Sequence, residues 1–451
     1  MAAGVHLDIA SQLTAIEEVR GKMARRRKVR VALAAGLATL CAGTAAFAGG
    51  GAFLEPDVRV LQQFEGGGSQ SFGWAVSPVG VPDKKHRMNA LISEAFNGPN
   101  FDQGSAHLYS SRTGQLIRRW DGNPGDWFSF SVADAGDADG DKANDILIGA
   151  PGPDAAQGPG YVDLYSGRTG QRLHRFVGEQ AGDSFGWAVA SAGDVDGDKR
   201  PDILIGAPAF ISHAHAGRAY VYSGRTYELI RRLSGEAVGN EFGSGAGWTE
   251  DVNRDHVPDQ IVGAREALAP DGQPRGKVYV YSGKTGARLL TIDSPPLGIQ
   301  FGSFFVAGAG DVNGDGTSDV YVGDYADSTN GPRAGRATVF SGRDGSELRA
   351  WLGEAGDGFG PGRGAGDVND DGRPDVIVGS FSSSAGSPQS GKVQIFSGAD
   401  GSLLRRITST TANENFGFDA VGIGDVNGDD VPDALVSAAT GDHVYIIAGR
   451  E

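Results

Sequence analysis

Short apolar runs, broken by glycine and by acidic turns, set the rhythm of this chain. Residues 185–192 are a mixed run of apolar and small side chains, read as a first strand. An acidic loop follows, DVDGDKRPD over residues 194–202. Residues 203–206 are continuously apolar and end in Gly206-Ala207-Pro208. A variable stretch leads to RAYVY at 218–222, a Ser223-Gly224 turn, and LIRRL at 229–233. Short runs bounded by Gly, Pro, Asp and Ser are strand signatures, so this grammar predicts four strands. The second is apolar throughout, as a strand buried on both faces requires. The fourth carries arginine pairs (Arg118-Arg119, Arg231-Arg232, Arg405-Arg406), charges expected of an outer edge that must not pair with another molecule.

The same grammar recurs. A Phe–Gly pair, or a close variant, stands at Phe72, Phe128, Phe185, Phe242, Phe301, Phe359 and Phe416, spaced 56 to 59 residues apart. A constant period marks an array. Seven four-stranded units, with the apolar strand inside and the charged strand outside, predict an all-β fold, a seven-bladed β-propeller of four-stranded blades. The last apolar run, HVYIIAG, reads as a third strand, which leaves the seventh unit one strand short. VRVLQQF at 58–64 matches the fourth strands and directly precedes Phe72. It is expected to complete the last blade and close the ring.

Ahead of the array the pattern changes. A basic cluster, Arg25 to Arg30, precedes an Ala-rich apolar run ending in Ala46-Phe47-Ala48. This is the layout of a secretory signal peptide, with an N-terminal anchor as the alternative. The acidic residues before Met23 are foreign to such a leader, so Met23 is a candidate true start. The expected division is a leader over 1–48, a short linker over 49–57 and the propeller over 58–451. The single cysteine, Cys41, lies in the leader, which leaves the array without disulfides or thiolate metal sites.

The acidic loops carry the candidate chemistry. In the third unit, carboxylates occupy loop positions 1, 3, 5 and 9, with Gly197 between them. Two such charges about 5 Å apart repel by roughly 3 kcal/mol at an effective dielectric near 20. The loop is stable with its carboxylates splayed into water or sharing a hard cation, and oxygen ligands at alternate positions suit calcium. The loop occurs six times. The sets are Asp137, Asp139, Asp141 and Asp145; Asp194, Asp196, Asp198 and Asp202; Asp251, Asn253, Asp255 and Asp259. The remaining sets are Asp311, Asn313, Asp315 and Asp319; Asp367, Asn369, Asp371 and Asp375; Asp425, Asn427, Asp429 and Asp433. Position 7 offers a backbone carbonyl, which leaves its side chain free to vary. The first unit has Val81, Asp83 and Lys85 at positions 1, 3 and 5, and no calcium is expected there. Among the six, the fourth-unit loop is expected to be weakest, because the bulky Arg254 resists a left-handed turn.

Charge supports this reading. The chain carries −16, and its first 48 residues hold seven basic and three acidic side chains, leaving −20 on the rest. The six loops contain 20 acidic ligand residues, which matches that excess. Up to six Ca2+ are expected. The negative balance argues against nucleic acid and anionic membrane surfaces as partners.

The order FG, GDVxGDxxxD, IxxGAP and VYVYSG resembles the FG-GAP repeat of integrin α-subunit propellers and related bacterial proteins. The resemblance covers residues 58 to 449, with Gly149-Ala150-Pro151 and Gly206-Ala207-Pro208 intact and later copies decayed. It implies a seven-bladed propeller with calcium between the first two strands of a blade and a ligand on the opposite face. No integrin-like leg, membrane span or cytoplasmic tail is expected after the array, so the resemblance is read as fold and metal chemistry.

On the face opposite the calcium loops, variable loops cover 96–104, 152–159, 210–216, 266–275, 324–333 and 382–390. Recognition usually lives on such loops. Phe96, Phe101, Trp127, Phe210 and Tyr325 are aromatic candidates there. His213 and His215 are too few for a closed metal site. No Gly-x-Ser-x-Gly, His-Glu-x-x-His or phosphate loop occurs. The function read from the sequence is a secreted or cell-surface calcium-binding module, monomeric, that adheres to protein or polysaccharide. A hydrolase or lyase on an extracellular polymer, and a structural envelope protein, are the alternatives.

Overall fold

A computed structural model describes residues 52–80, 88–98, 102–152 and 158–450. The leader with its Met23 start, the residues Val81, Asp83 and Lys85, and Phe101 lie outside the described residues. Among the described residues, 28 strands form seven four-stranded antiparallel sheets. The only helical element there is a short 3-10 turn, Ala439–Gly441. No helix of the described residues is long and apolar enough to cross a membrane.

Blades are numbered by the phenylalanine that opens each. Blade 3 has strands Ala188–Gly193, Asp202–Ala207, Arg218–Tyr222 and Leu229–Ser234, paired in that order. The other blades repeat this order, and first strands of successive blades touch around a ring that closes from blade 7 to blade 1. First strands therefore lie nearest the axis and fourth strands at the rim. The second strands of blades 2 to 7 (DILIGA twice, DQIVGA, DVYVGD, DVIVGS, DALVSA) are buried at every residue. Closure falls where the sequence placed it. Val60–Glu65 pairs antiparallel with His443–Ile447 and forms the outer strand of blade 7.

The seven repeat phenylalanines are all essentially buried, at 0–1 % exposure. Each wedges one blade against the previous one. Phe185 opens blade 3 yet packs with Val162, Leu164 and Phe176 of blade 2. Gly186 after it has φ +90° and sits against the backbone of Tyr161, where a Cβ has no room. In blade 2 the equivalent residue is Ser129, also left-handed at φ +66°, and its hydroxyl donates to the Ser105 carbonyl.

Two features add to the sequence reading. Residues 52–57, within the expected short linker of 49–57, dock on the propeller. Phe53 is buried against Phe416 and Tyr445, and Leu54 N–H donates to the Thr408 carbonyl. Glu55 accepts from the Thr408 amide at 2.7 Å. The buried aromatic gives this segment a reason to dock. The rim arginines also do more than repel strangers. Arg231 Nη1 donates to the Gly283 carbonyl at 2.8 Å, in the turn between strands 3 and 4 of the next blade. Arg118 and Arg349 reach the matching turns of blades 2 and 6 in the same manner, through the carbonyls of Arg168 and Ala399. Arg405 reaches Ala448 and Asp57. The second arginine of each pair stays outside this latch, with Arg119 and Arg232 half-exposed on carboxylates.

Candidate functional site

In an antiparallel blade, loops 1–2 and 3–4 share one face, and loops 2–3 and the connections between blades share the other. The six acidic loops are 1–2 loops. In blade 3, Asp194 accepts the amides of Gly197 at 2.7 Å and Lys199 at 2.9 Å. Asp196 accepts the Asp198 amide, and Asp198 accepts the Arg200 amide. These bonds curl the backbone so that Gly197 and Lys199 are both left-handed, at φ +82° and +70°. Asp194, Asp196 and Asp198 thereby offer oxygens within 4.8 Å of one another, as do Asp137, Asp139 and Asp145 in blade 2. Asp141, the remaining member of that set, accepts the Ala143 amide and meets Arg168 Nε at 3.1 Å.

The other loops fold alike. Asp311 accepts the Asp315 and Gly316 amides, and Asn313 also accepts from Asp315. Asp367 with Asn369 and Asp371, and Asp425 with Asn427 and Asp429, repeat these contacts. In blade 4, Asp251 accepts the Asp255 and His256 amides, and Asn253 also accepts from Asp255. The structure thus shows Arg254 in the left-handed turn it was expected to resist, at φ +66°. The loop closes regardless, at a backbone cost of about 1–2 kcal/mol. Position 6 is left-handed as well, and only Gly316 and Gly372 among its six residues are glycines.

Position 9 has a distinct task. Asp202 accepts the Val195 amide at 2.8 Å on one oxygen and the Gly224 amide at 3.0 Å on the other. It clips the loop to the turn between strands 3 and 4. Asp145, Asp259, Asp319, Asp375 and Asp433 make the same pair of bonds. All are fully or almost fully buried. Burial pushes their carboxyls up, against the pull of the amides, to about 7 for Asp145 and about 6 for Asp202, Asp259, Asp319 and Asp433.

The donor set is all oxygen, which fits a hard cation. Asp315 Oδ1 is buried without a hydrogen-bond partner, an arrangement that costs free energy and that a cation would relieve. The side chain at position 7 is not free everywhere. Arg200 and Arg373 each reach a carboxylate of the preceding blade, Asp137 and Asp311, at 3.6 Å.

The opposite face gathers aromatic rings. Tyr325, Phe381, Phe418, Trp74, Phe130, Trp187 and Phe304 follow one another with centroids 4.6 to 5.9 Å apart. They come from blades 5, 6, 7, 1, 2, 3 and 5. Phe130 and Phe304, from blades 2 and 5, meet at 6.2 Å. Phe96 packs edge-on against Trp74 and Trp127, Trp127 stacks on Phe130, and Phe210 packs on Trp187. Trp74, Phe96, Phe210, Phe304, Phe381 and Phe418 remain half-buried, while Trp127, Phe130 and Trp187 are buried. The sequence named Phe96, Trp127, Phe210 and Tyr325 but missed the belt they join. Trp74, Phe130, Trp187 and Phe418 each stand two residues after a repeat phenylalanine, a periodic signal that was there to read.

Two further candidates on this face resolve. His215 uses both ring nitrogens, on Asp183 at 2.9 Å and on the Gly217 amide at 3.0 Å, so it has none for a metal. A cleft of about 420 Å³ on blade 1 is lined by Glu65, Glu94, His107 and Arg119 among others. Ser105 and Glu94 both meet the same nitrogen of His107, at 2.9 and 3.2 Å. A nucleophile–base–acid relay uses the two ring nitrogens separately, so this trio lacks that geometry. Burial acts to raise the Glu94 carboxyl, yet hydrogen bonds from His107, Asn97, Ser69 and Ser105 hold it down at about 2.

Comparison with known proteins places the chain. The FG-GAP repeat family matches residues 185–222, and an FG-GAP-like repeat family matches residues 367–436. Integrin alpha-8 of Gallus gallus is 32% identical over 288 residues, covering 61% of this chain and 26% of the relative. Integrin alpha-5 of Xenopus laevis is 32% identical over 235 residues, covering 47% of this chain and 21% of the relative. Integrin alpha-IIb of Homo sapiens is 35% identical over 220 residues, covering 44% and 20%. The chain thus spans about a fifth to a quarter of the length of these relatives. With these matches and its seven closed blades, the chain is an FG-GAP repeat protein, an integrin-alpha-like β-propeller.

Proposed function

We propose that this chain is a calcium-stabilised binding module, secreted or held at the cell surface, that recognises an extracellular protein or polysaccharide. The observation that carries this reading is the aromatic belt. Rings from six blades converge on one face, and several keep part of their surface open. Aromatic groups on a rigid scaffold supply contact area at low entropic cost. The integrin alpha relatives and the basic-then-apolar leader support an extracellular setting. Calcium in the six loops, at positions 1, 3, 5 and 9 with the position 7 carbonyl, would neutralise carboxylates on the far face and hold each hairpin in shape. The binder is monomeric, and neither nucleic acid nor an anionic membrane surface is a partner, in keeping with a net charge of −16.

The test is binding of the purified chain to an array of neutral and charged glycans and to a panel of extracellular proteins, in calcium. A hit is expected to weaken at least about tenfold with Trp74→Ala or Phe418→Ala, a loss typical of interface anchors. Binding untouched by both variants would move recognition away from the belt.

A further inference from the structure

The six acidic loops share a backbone but differ in their neighbours. Around the ring, each loop docks on the one before it. Pro201, at position 8 of the blade 3 loop, packs on Gly136, the residue ahead of Asp137 in blade 2. Pro258 packs on Gly193, Pro374 on Gly310, and Pro432 on Gly366 in the same way. At two of the junctions the preceding residue, position 7, is an arginine. Arg200 Nη1 lies 3.6 Å from Asp137 Oδ1, and Arg373 Nη1 lies 3.6 Å from Asp311 Oδ2. Each guanidinium occupies the space above a loop glycine, Gly140 or Gly314, where a Cβ would not fit. The other described junctions carry Val257, Thr317 and Val431 at this position.

We propose that Arg200 and Arg373 each couple two neighbouring cation sites. This rests on the calcium reading of the loops. Each arginine belongs to two loops at once. Its carbonyl stands at the ligand position 7 of its own loop, and its guanidinium sits on the first carboxylate of the loop before. The pairs so joined are blades 2 with 3 and blades 5 with 6. The loops of blades 4 and 7 do not receive a position 7 arginine from a described neighbour.

The consequence is an order of affinities that acid counts alone would invert. The blade 2 loop has four carboxylates, as many as any, yet it holds two arginines. Besides Arg200, the Arg168 Nε lies 3.1 Å from Asp141 Oδ2, and Arg168 also donates to the Asp141 carbonyl. A fixed positive charge beside a carboxylate satisfies part of its field and repels an incoming divalent ion. The loops of blades 2 and 5 therefore bind calcium more weakly than the others, by on the order of tenfold for half-exposed charges. Filling the blade 3 or blade 6 loop fixes the backbone of the arginine that presses on the loop before it, so the weaker member of each pair fills last.

The test is calcium titration of the chain by calorimetry, with the melting temperature followed against free calcium. Wild type is expected to show a tight class and a class of two weaker sites. Arg200→Gln and Arg373→Gln keep the backbone carbonyl and remove the charge. Arg373→Gln is expected to strengthen one weak site about tenfold, Arg200→Gln to strengthen the other by less because Arg168 stays on Asp141, and the triple variant with Arg168→Gln to merge the classes. Arg200→Lys keeps the charge and is expected to keep the weak site, which separates charge from a general effect of substitution. A single class of sites in wild type, unchanged by the glutamine variants, overturns the coupling while leaving calcium binding intact. Arg200→Lys behaving like Arg200→Gln also overturns it. No calcium uptake at all overturns the calcium reading and the coupling with it.

Discussion

The two faces of the ring differ in what they repeat. On one face, six loops reproduce the same hydrogen bonds even where the residues change, as Arg254 shows by taking the turn of a glycine. On the other, no two connections share a sequence, yet aromatic rings from six blades meet. Backbone geometry is preserved on the first face and side-chain chemistry is accumulated on the second. The difference is what the proposed function rests on: the acidic loops would serve the blade, and the aromatic belt whatever the ring meets.

The harshest way to break the comparison is to open the ring, which should abolish both faces together. Removing residues 52–65 takes away the outer strand of blade 7 and the buried Phe53, Val58 and Phe64. Stability is expected to fall by more than about 5 kcal/mol, read as loss of the cooperative transition in denaturant. An unchanged transition would mean that this segment does not close the ring.

A gentler cut separates the faces. Asp202→Ala strips two buried amides of their acceptor and should cost about 3 kcal/mol, measured by unfolding in calcium. Asp202→Asn keeps an oxygen and should cost less. Equal losses would show that the charge, and not the clip, is what matters at position 9.

Acidity sharpens the comparison further. Five of the position 9 carboxyls, those of Asp145, Asp202, Asp259, Asp319 and Asp433, have folded-state values near 6 to 7, above the ordinary 3.8, and burial raises that of Asp375 as well. Between these limits the folded state holds protons that the unfolded state has released. The resulting stabilisation is complete below about pH 4 and is lost as pH rises through 6 to 7. In chelator, these groups should therefore lower the melting temperature from pH 4.5 to pH 7.5. Calcium should offset that fall at neutral pH and act least at pH 4.5, where protons compete for the oxygens. A chelator effect of the same size at both values would contradict this account.

Much of this was legible in advance because period and alternation are local. The spacing from Phe72 to Phe416 announces seven blades, and VRVLQQF announces its partner by resembling LIRRW. What stayed hidden depends on neighbours distant in sequence. Nothing in Arg231 says that a carbonyl some 50 residues on will be its acceptor, since a rim arginine facing water looks identical. Phe53 reads as a stray aromatic until Phe416 and Tyr445 are placed beside it. The left-handed Lys142 and Lys199 were equally silent, because glycine is the residue that advertises that conformation and neither position has it. The belt was different, for its step of two residues after four of the seven repeat phenylalanines lay in plain sight.

The division of labour between the faces is tested most directly by measuring two quantities on two variants. Asp198→Ala and Trp74→Ala would each be assayed for melting temperature in calcium and, below that temperature, for binding to the strongest array ligand of the wild type. The account predicts that Asp198→Ala melts several degrees lower, as a loss of about 1–2 kcal/mol would give, and binds as wild type does. It predicts that Trp74→Ala loses binding at least about tenfold, with a smaller change in melting. Binding lost in Asp198→Ala without a change in melting would assign recognition to the acidic loops and contradict the account.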